Sequence, residues 1–395
     1  MQKLLELWKN RYKDSATEFD KARSQTAKGL AILLLLFYHL FHEAWEIEEM
    51  SVNTAPFTKE SLIAASRFGN ICVAMFVFLT GFGIAKGLMR SFPAGSPSVK
   101  GTPQTLSPGS AGTNILSSEN ARTLEIFAQA IRRAGKLMGN FLLLYLSALL
   151  VFFGKLDLAG LYGAGKQGIL HGLTDALGLA SLFDTPTINE TWWYMGLAFA
   201  LIFLVPVLYL AYEKIGNALL PIALLVALLI PMNDGLRMYL FTAAMGVCAA
   251  GGGWPERAAS GWKHPALQWI WYIVLLAIAA PLRQNYIVQE SYLPLADALI
   301  ALLLVNFAGG LLHRIPGLRQ VLGFLGRHSM NMYLIHTFFY LLVWREVIYY
   351  FHPWYVTWLV LILVSLLYSA VLELIKKGGK WLIGRLFPSG ESATH

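Results

Sequence analysis

Ten apolar runs recur along this chain, at 27–44, 68–89, 136–154, 192–212, 216–231, 236–250, 266–283, 293–312, 328–349 and 354–375. Most are long enough to cross a hydrocarbon layer, which takes about 20 apolar residues in a helix. A lipid-exposed backbone must satisfy its own hydrogen bonds, so such runs fold as helices. The runs at 216–231 and 236–250 are short and are separated by the polar turn MNDG, which suits a hairpin or tilted short spans. Composition agrees: 56% of the residues are hydrophobic and 14% charged, against about 25% charged in soluble domains. The expected fold is all-α, a polytopic membrane protein of about ten helices.

The formal charge is +8. In a soluble protein that balance suggests nucleic acid. Here the positive-inside rule explains it, and no nucleic-acid partner is expected. With the N-terminus in the cytoplasm, most of the 31 Lys and Arg fall in inward-facing segments, so both termini are placed inside. The first run lacks a small-x-small cleavage site and reads as a retained helix. Residues 1–26 form a cytoplasmic N-terminal segment, 27–376 the transmembrane domain and 377–395 a cytoplasmic tail. Within the domain, 91–121 is rich in Ser, Gly and Pro and reads as a mobile cytoplasmic linker. Cys72 and Cys248 have no metal spacing, so neither a structural metal nor a disulfide framework is expected.

The first run, AKGLAILLLLFYHLFHEAW from Ala27 to Trp45, carries unusual residues for lipid. Lys28 and His39 are eleven residues apart. That is three helical turns plus about 20°, so both lie on nearly one face, about 16 Å apart along the axis. His42 and Glu43 follow one turn beyond His39. A cation at the inner edge suits an anionic handle. A deeper histidine can move a proton or act as a nucleophile, with Glu43 orienting its ring. The plainer reading is a packed histidine and a snorkelling lysine.

IRRAGKLMGN opens the third run with Arg132, Arg133 and Lys136. Such residues are usual on an inner face, and they also suit a phosphate clamp. A ligand with phosphates below and a reactive end at membrane depth would join the two clusters. Coenzyme A has that shape.

Four stretches resemble the integral-membrane acyltransferase family 3, the O-acyltransferases of surface polysaccharides. KGLAILLLLFYH looks like the family's R-G-L-A…H signature, with Lys28 in the arginine position and His39 at the catalytic histidine. MFVFLTGFGIAKG is similar to F-F-x-L-S-G-F. RRAGK matches R-x-x-R, with Arg133 kept and Lys136 replacing the second arginine. GRHSMNMYLIHTFF resembles G-x-x-S-x-x-x-Y-L-x-H through Gly326, Ser329, Tyr333, Leu334 and His336. Where some members carry an acidic pair, this chain has Ala198 and Phe199. The resemblance implies acyl transfer from cytoplasmic acetyl-CoA, a donor substrate, to a glycan or lipid-linked glycan in a bacterial inner membrane. His39 would be the base or a transient acyl carrier. Lys28, Arg132, Arg133 and Lys136 would bind the donor, and Glu43 and His336 would lie near substrate. The competing class is a transporter or glycan exporter using buried His and Asp as a proton relay.

Three other features stay open. His336 either packs or lines the donor path. Asp297 either faces a polar cavity or pairs with Arg283 or Arg345. The aromatic groups WWY (192–194) and HPWYVTW (352–358) read either as an interfacial belt or as faces that stack against a sugar ring. Glu46, Glu48, Glu49 and Glu60 read as a solvated acidic loop.

Overall fold

The computed structural model describes residues 19–92, 111–260, 265–284 and 293–386. The longer helices are α1 (Lys21–Phe41), α2 (Ala44–Glu49), α3 (Lys59–Phe68), α4 (Cys72–Ser91), α5 (Ala111–Val151), α6 (Gly165–Ala176) and α7 (Trp193–Ile215). They continue with α8 (Leu219–Leu229), α9 (Asp234–Gly252), α10 (Pro265–Gln284), α11 (Leu293–Asn306), α12 (Pro316–Thr337) and α13 (Trp354–Leu386). Among the described residues there is no strand, only an isolated bridge between Asn53 and Pro353.

Six segments are long and apolar enough to cross a membrane: Lys21–Phe41, Lys59–Ser91, Glu119–Val151, Glu190–Leu229, Pro294–Arg314 and Trp354–Gly379. Leu267–Arg283 is a shorter apolar helix. The ten runs therefore do not map one to one. Those at 192–212 and 216–231 form one apolar segment, bent where Gly216 takes φ +57°. Those at 236–250 and 328–349 fall in α9 and α12, which are more polar. The reason is their position. Every residue of α9 from Tyr239 to Ala250 is buried, and α12 buries Ser329, Asn331, His336 and Thr337. Helix faces packed against other helices are not selected for contact with lipid.

Helix α1 starts at Asp20, whose side chain accepts the Arg23 N–H at 2.9 Å, a standard N-cap. It packs along α12 with the backbones in contact. A Cβ added to Gly29 would overlap the Leu322 carbonyl, and one on Gly326 would overlap the Gln25 carbonyl. Helices α4 and α9 are joined the same way, through Gly81 against Ala243 and Gly246 against Phe78. Small residues at close crossings are the usual means of joining membrane helices. The glycines of KGLA, LTGF and GRHS are thus packing residues. Gly326→Ala is expected to lower stability by about 1–3 kcal/mol through overpacking. Helix propensity alone favours alanine by up to about 1 kcal/mol, the opposite sign. Thermal unfolding in detergent reads the difference, with Gly323→Ala as control because its Cβ would meet nothing within 4 Å.

Several expectations are settled here. Asp297 pairs with Arg283, Nε to Oδ1 at 2.6 Å and Nη2 to Oδ2 at 3.1 Å, with both side chains buried. Arg345 forks Glu49 instead, at 2.8 Å on each arm. Two of the WWY residues turn inward: Trp192 is buried and donates Nε1–H to the Leu334 carbonyl at 2.7 Å, and Tyr194 stacks edge-on against Tyr333, while Trp193 stays 37% exposed. The Trp192 indole is held by the core rather than by an interface. Of the 91–121 linker, 93–110 lies outside the described residues, but α5 already begins at Ala111. Residues 1–18 and 387–395 of the two end segments also lie outside the described residues.

Candidate active site

His39 stands in the last turn of α1, on the face turned to α12. Its Nδ1 lies 3.4 Å from the Tyr340 hydroxyl, and its ring centre is 4.8 Å from that of His336. His336 is fully buried, and its Nδ1 meets the Tyr333 carbonyl at 2.6 Å. A carbonyl only accepts, so Nδ1 carries the proton. Nε2 then presents a bare lone pair, and it has no hydrogen-bond partner among the described residues. Immediately afterwards α12 widens into a π-helical turn, Phe338–Leu342, which brings Tyr340 round to His39. Such turns are frequent at functional sites.

A cavity of about 480 Å³ opens at His39. Its walls come from the end of α1, from α2, from residues 187–191 and from the end of α12. The 187–191 segment is fixed in three places. Asp175 accepts the Ile188 N–H at 2.9 Å, Asn189 Nδ2 donates to Thr337 Oγ1 at 2.6 Å, and Tyr333 donates its hydroxyl to the Thr191 carbonyl at 2.7 Å. A second cavity, about 200 Å³, holds Lys28, Thr80, Tyr194, Ser329 and Tyr333. Helix α12 walls both. The Tyr333–Thr191 and Trp192–Leu334 hydrogen bonds stand between them. A larger cavity, about 520 Å³ between α10 and α11, has no histidine, carboxylate or cation in its wall and offers no comparable chemistry.

The residues expected from sequence separate into groups. Lys28 and His39 do share the α12-facing side of α1. Arg133 turns inward: Nη1 is buried without a hydrogen-bond partner among the described residues, and Nη2 lies against Gly87 of α4. Arg132 is exposed and bound to Glu125, and Lys136 is exposed. Glu43 lies 3.8 Å from His42, not on His39. No three His, Cys, Asp or Glu among the described residues gather to hold a metal.

The structure also adds residues that sequence reasoning passed over. Asn189, Thr191, Thr337 and Tyr340 all line the His39 cavity. The polar triplet Asn189–Glu190–Thr191 just before an apolar run was the available signal. Glu46 had none. It belongs to the loop read as solvated, yet its side chain is 4% exposed, because α2 folds back over the end of α1. Burial pushes its carboxyl up to about 8; Arg345 opposes the rise and Glu43 adds to it. The folded state therefore holds a proton that the unfolded state releases above about pH 4.3. Stability from this group falls as pH rises from there to about 8, then levels. Glu46→Gln is expected to raise the thermal midpoint at pH 8 more than at pH 5, checked by unfolding scans across that range.

A protein-family model described as an acyltransferase domain matches residues 23–374. No curated protein and no solved structure matches the chain.

Proposed function

The chain belongs to acyltransferase family 3, and from that premise we propose that it is a membrane O-acetyltransferase. It moves an acetyl group from cytoplasmic acetyl-CoA to a hydroxyl of a surface or exported polysaccharide, in a bacterial inner membrane. The observation that carries this reading is the arrangement along α12. A cavity holding a cation, Lys28, and a cavity holding His39 open on the same helix. In this orientation the Lys28 end faces the cytoplasm and the His39 end faces outward.

Lys28 and Arg133 are the cations that would receive coenzyme A phosphates. Arg132 and Lys136 add surface charge around them. At the far end, His39 takes the proton of the sugar hydroxyl while the oxygen bonds the acetyl carbon. The C–S bond breaks, and the proton goes to the leaving thiolate. The unpartnered His336 Nε2 beside His39 offers a second acceptor for that proton. The hydrogen-bonded partition at Thr191 and Leu334 favours a two-step form. There the His39 nitrogen bonds the acetyl carbon as the C–S bond breaks, and coenzyme A leaves as the thiol with the imidazole proton. The sugar oxygen then attacks acetyl-His39, the C–N bond breaks, and the hydroxyl proton passes to the freed imidazole.

The test uses the purified full-length protein in lipid. Acetyl-CoA should bind, and Arg133→Ala should weaken binding about 10–100-fold, the value of a charge-assisted hydrogen bond. Arg132→Ala, on an exposed residue, should do much less. Acetyl exchange into free coenzyme A without acceptor is the expected sign of the carrier route. Absence of coenzyme A binding together with solute flux would overturn the proposal in favour of a transporter.

A further inference from the structure

We propose that the cavity at His39 takes an uncharged sugar ring as acceptor and excludes anionic sugars, with Glu46 anchoring a ring hydroxyl. This rests on the acyl-transfer reading above and names the acceptor class for the same site.

The charge of the wall carries the argument. The chain has 31 Lys and Arg against 23 Asp and Glu. Among the described residues, however, the lining of this cavity includes no Lys or Arg and three glutamates: Glu43, Glu46 and Glu190. Nearby cations are committed elsewhere. Arg345 forks Glu49, Lys59 is bound to Glu48, and Arg67 donates Nε–H to the His42 carbonyl at 3.1 Å. A uronate entering this space would add a negative group beside Glu43 and Glu190, the two glutamates of the wall other than the buried Glu46. No cation in the wall would offset the loss of its hydration.

An uncharged ring meets the opposite situation. Glu46 Oε2 and His42 Nδ1 are both buried, and neither has a hydrogen-bond partner among the described residues. They lie 3.9 Å apart, too far to bond directly. A ligand hydroxyl, which both donates and accepts, satisfies two such atoms at once. Trp45 also lines the cavity and is 47% exposed, with the Arg345 guanidinium 5.1 Å from its ring centre. Its indole offers a broad apolar face for the C–H side of a sugar ring.

The experiment measures sugar binding directly, by saturation-transfer NMR on the full-length protein in lipid nanodiscs. The probes are methyl glycosides of gluco, galacto and manno configuration and the matching methyl uronides. At least one neutral glycoside should bind about tenfold or more tightly than its uronide. Equal or tighter binding of the uronides, or no saturation transfer to any neutral glycoside, would overturn the proposal. Glu46→Gln keeps a hydrogen-bond donor and acceptor and should stay within about threefold of the native affinity, whereas Glu46→Ala should lose about tenfold. Equal loss in both folded variants would reduce Glu46 to a structural role and defeat the anchoring claim. Glu190→Arg, at an exposed position, should admit the uronide; an unchanged preference would defeat the charge argument. Acetyl product is read in the same samples. Selective binding without product removes acyl transfer and leaves the acceptor class standing, while acetylated uronides do the reverse.

Discussion

His39→Ala is expected to lower acetyl transfer by about 10³-fold while leaving acetyl-CoA binding close to native. The magnitude follows from losing a positioned proton acceptor, which contributes about 10²–10⁴-fold. Loss of a covalent carrier would be at least as severe. The separation of the two effects follows from the geometry. His39 lines one cavity and Lys28 the other, with the Tyr333–Thr191 hydrogen bond between them. The substitution also removes a ring from a buried aromatic group, so the variant must first be shown to fold. His39→Gln serves that purpose, since it keeps a polar side chain of similar reach. Transfer rates from labelled acetyl-CoA and equilibrium binding of the donor give the two readouts. Retained transfer in either variant would place the chemistry elsewhere, with His42 the next candidate because it lines the same cavity.

The first helix was the most legible part of the site. Eleven residues between Lys28 and His39 fix their shared face through helical geometry alone, and α1 indeed turns that face to α12. Motif order along the chain was legible too, although the glycines in it serve packing rather than chemistry. What could not be read was everything set by contacts between distant segments. The His39–His336 pairing joins residues about 300 positions apart and depends on how Gly29 and Gly326 let two helices meet. Burial of Glu46 depends on α2 folding back, which no local pattern in AWEIEE demands. Helices α9 and α12 stand out less by hydropathy for a related reason: hydropathy reports exposure to lipid, and α9 from Tyr239 on and one face of α12 are buried against protein.

Asp297→Leu is expected to destabilise the fold by about 3–5 kcal/mol, the usual penalty for stranding one member of a buried ion pair. Asp297 is 2% and Arg283 4% exposed, and the pair is a two-bond fork. Removing the carboxylate leaves a guanidinium in the interior, with only a long contact of 3.4 Å to the Arg67 carbonyl among the described residues. The double variant Arg283→Leu with Asp297→Leu removes both charges and should recover most of the loss, because a buried pair exchanged for apolar side chains is often neutral or stabilising. That change of sign separates an ion-pair effect from a simple packing defect, and thermal midpoints in detergent measure it. The same double variant tests whether Asp297 belongs to the chemistry. A structural pair predicts that activity returns with stability. A stable double variant without transfer would mean that the link from Asp297 through Arg283 to Arg67, whose Nε holds the His42 carbonyl at 3.1 Å, sets the geometry at the His39 end of α1.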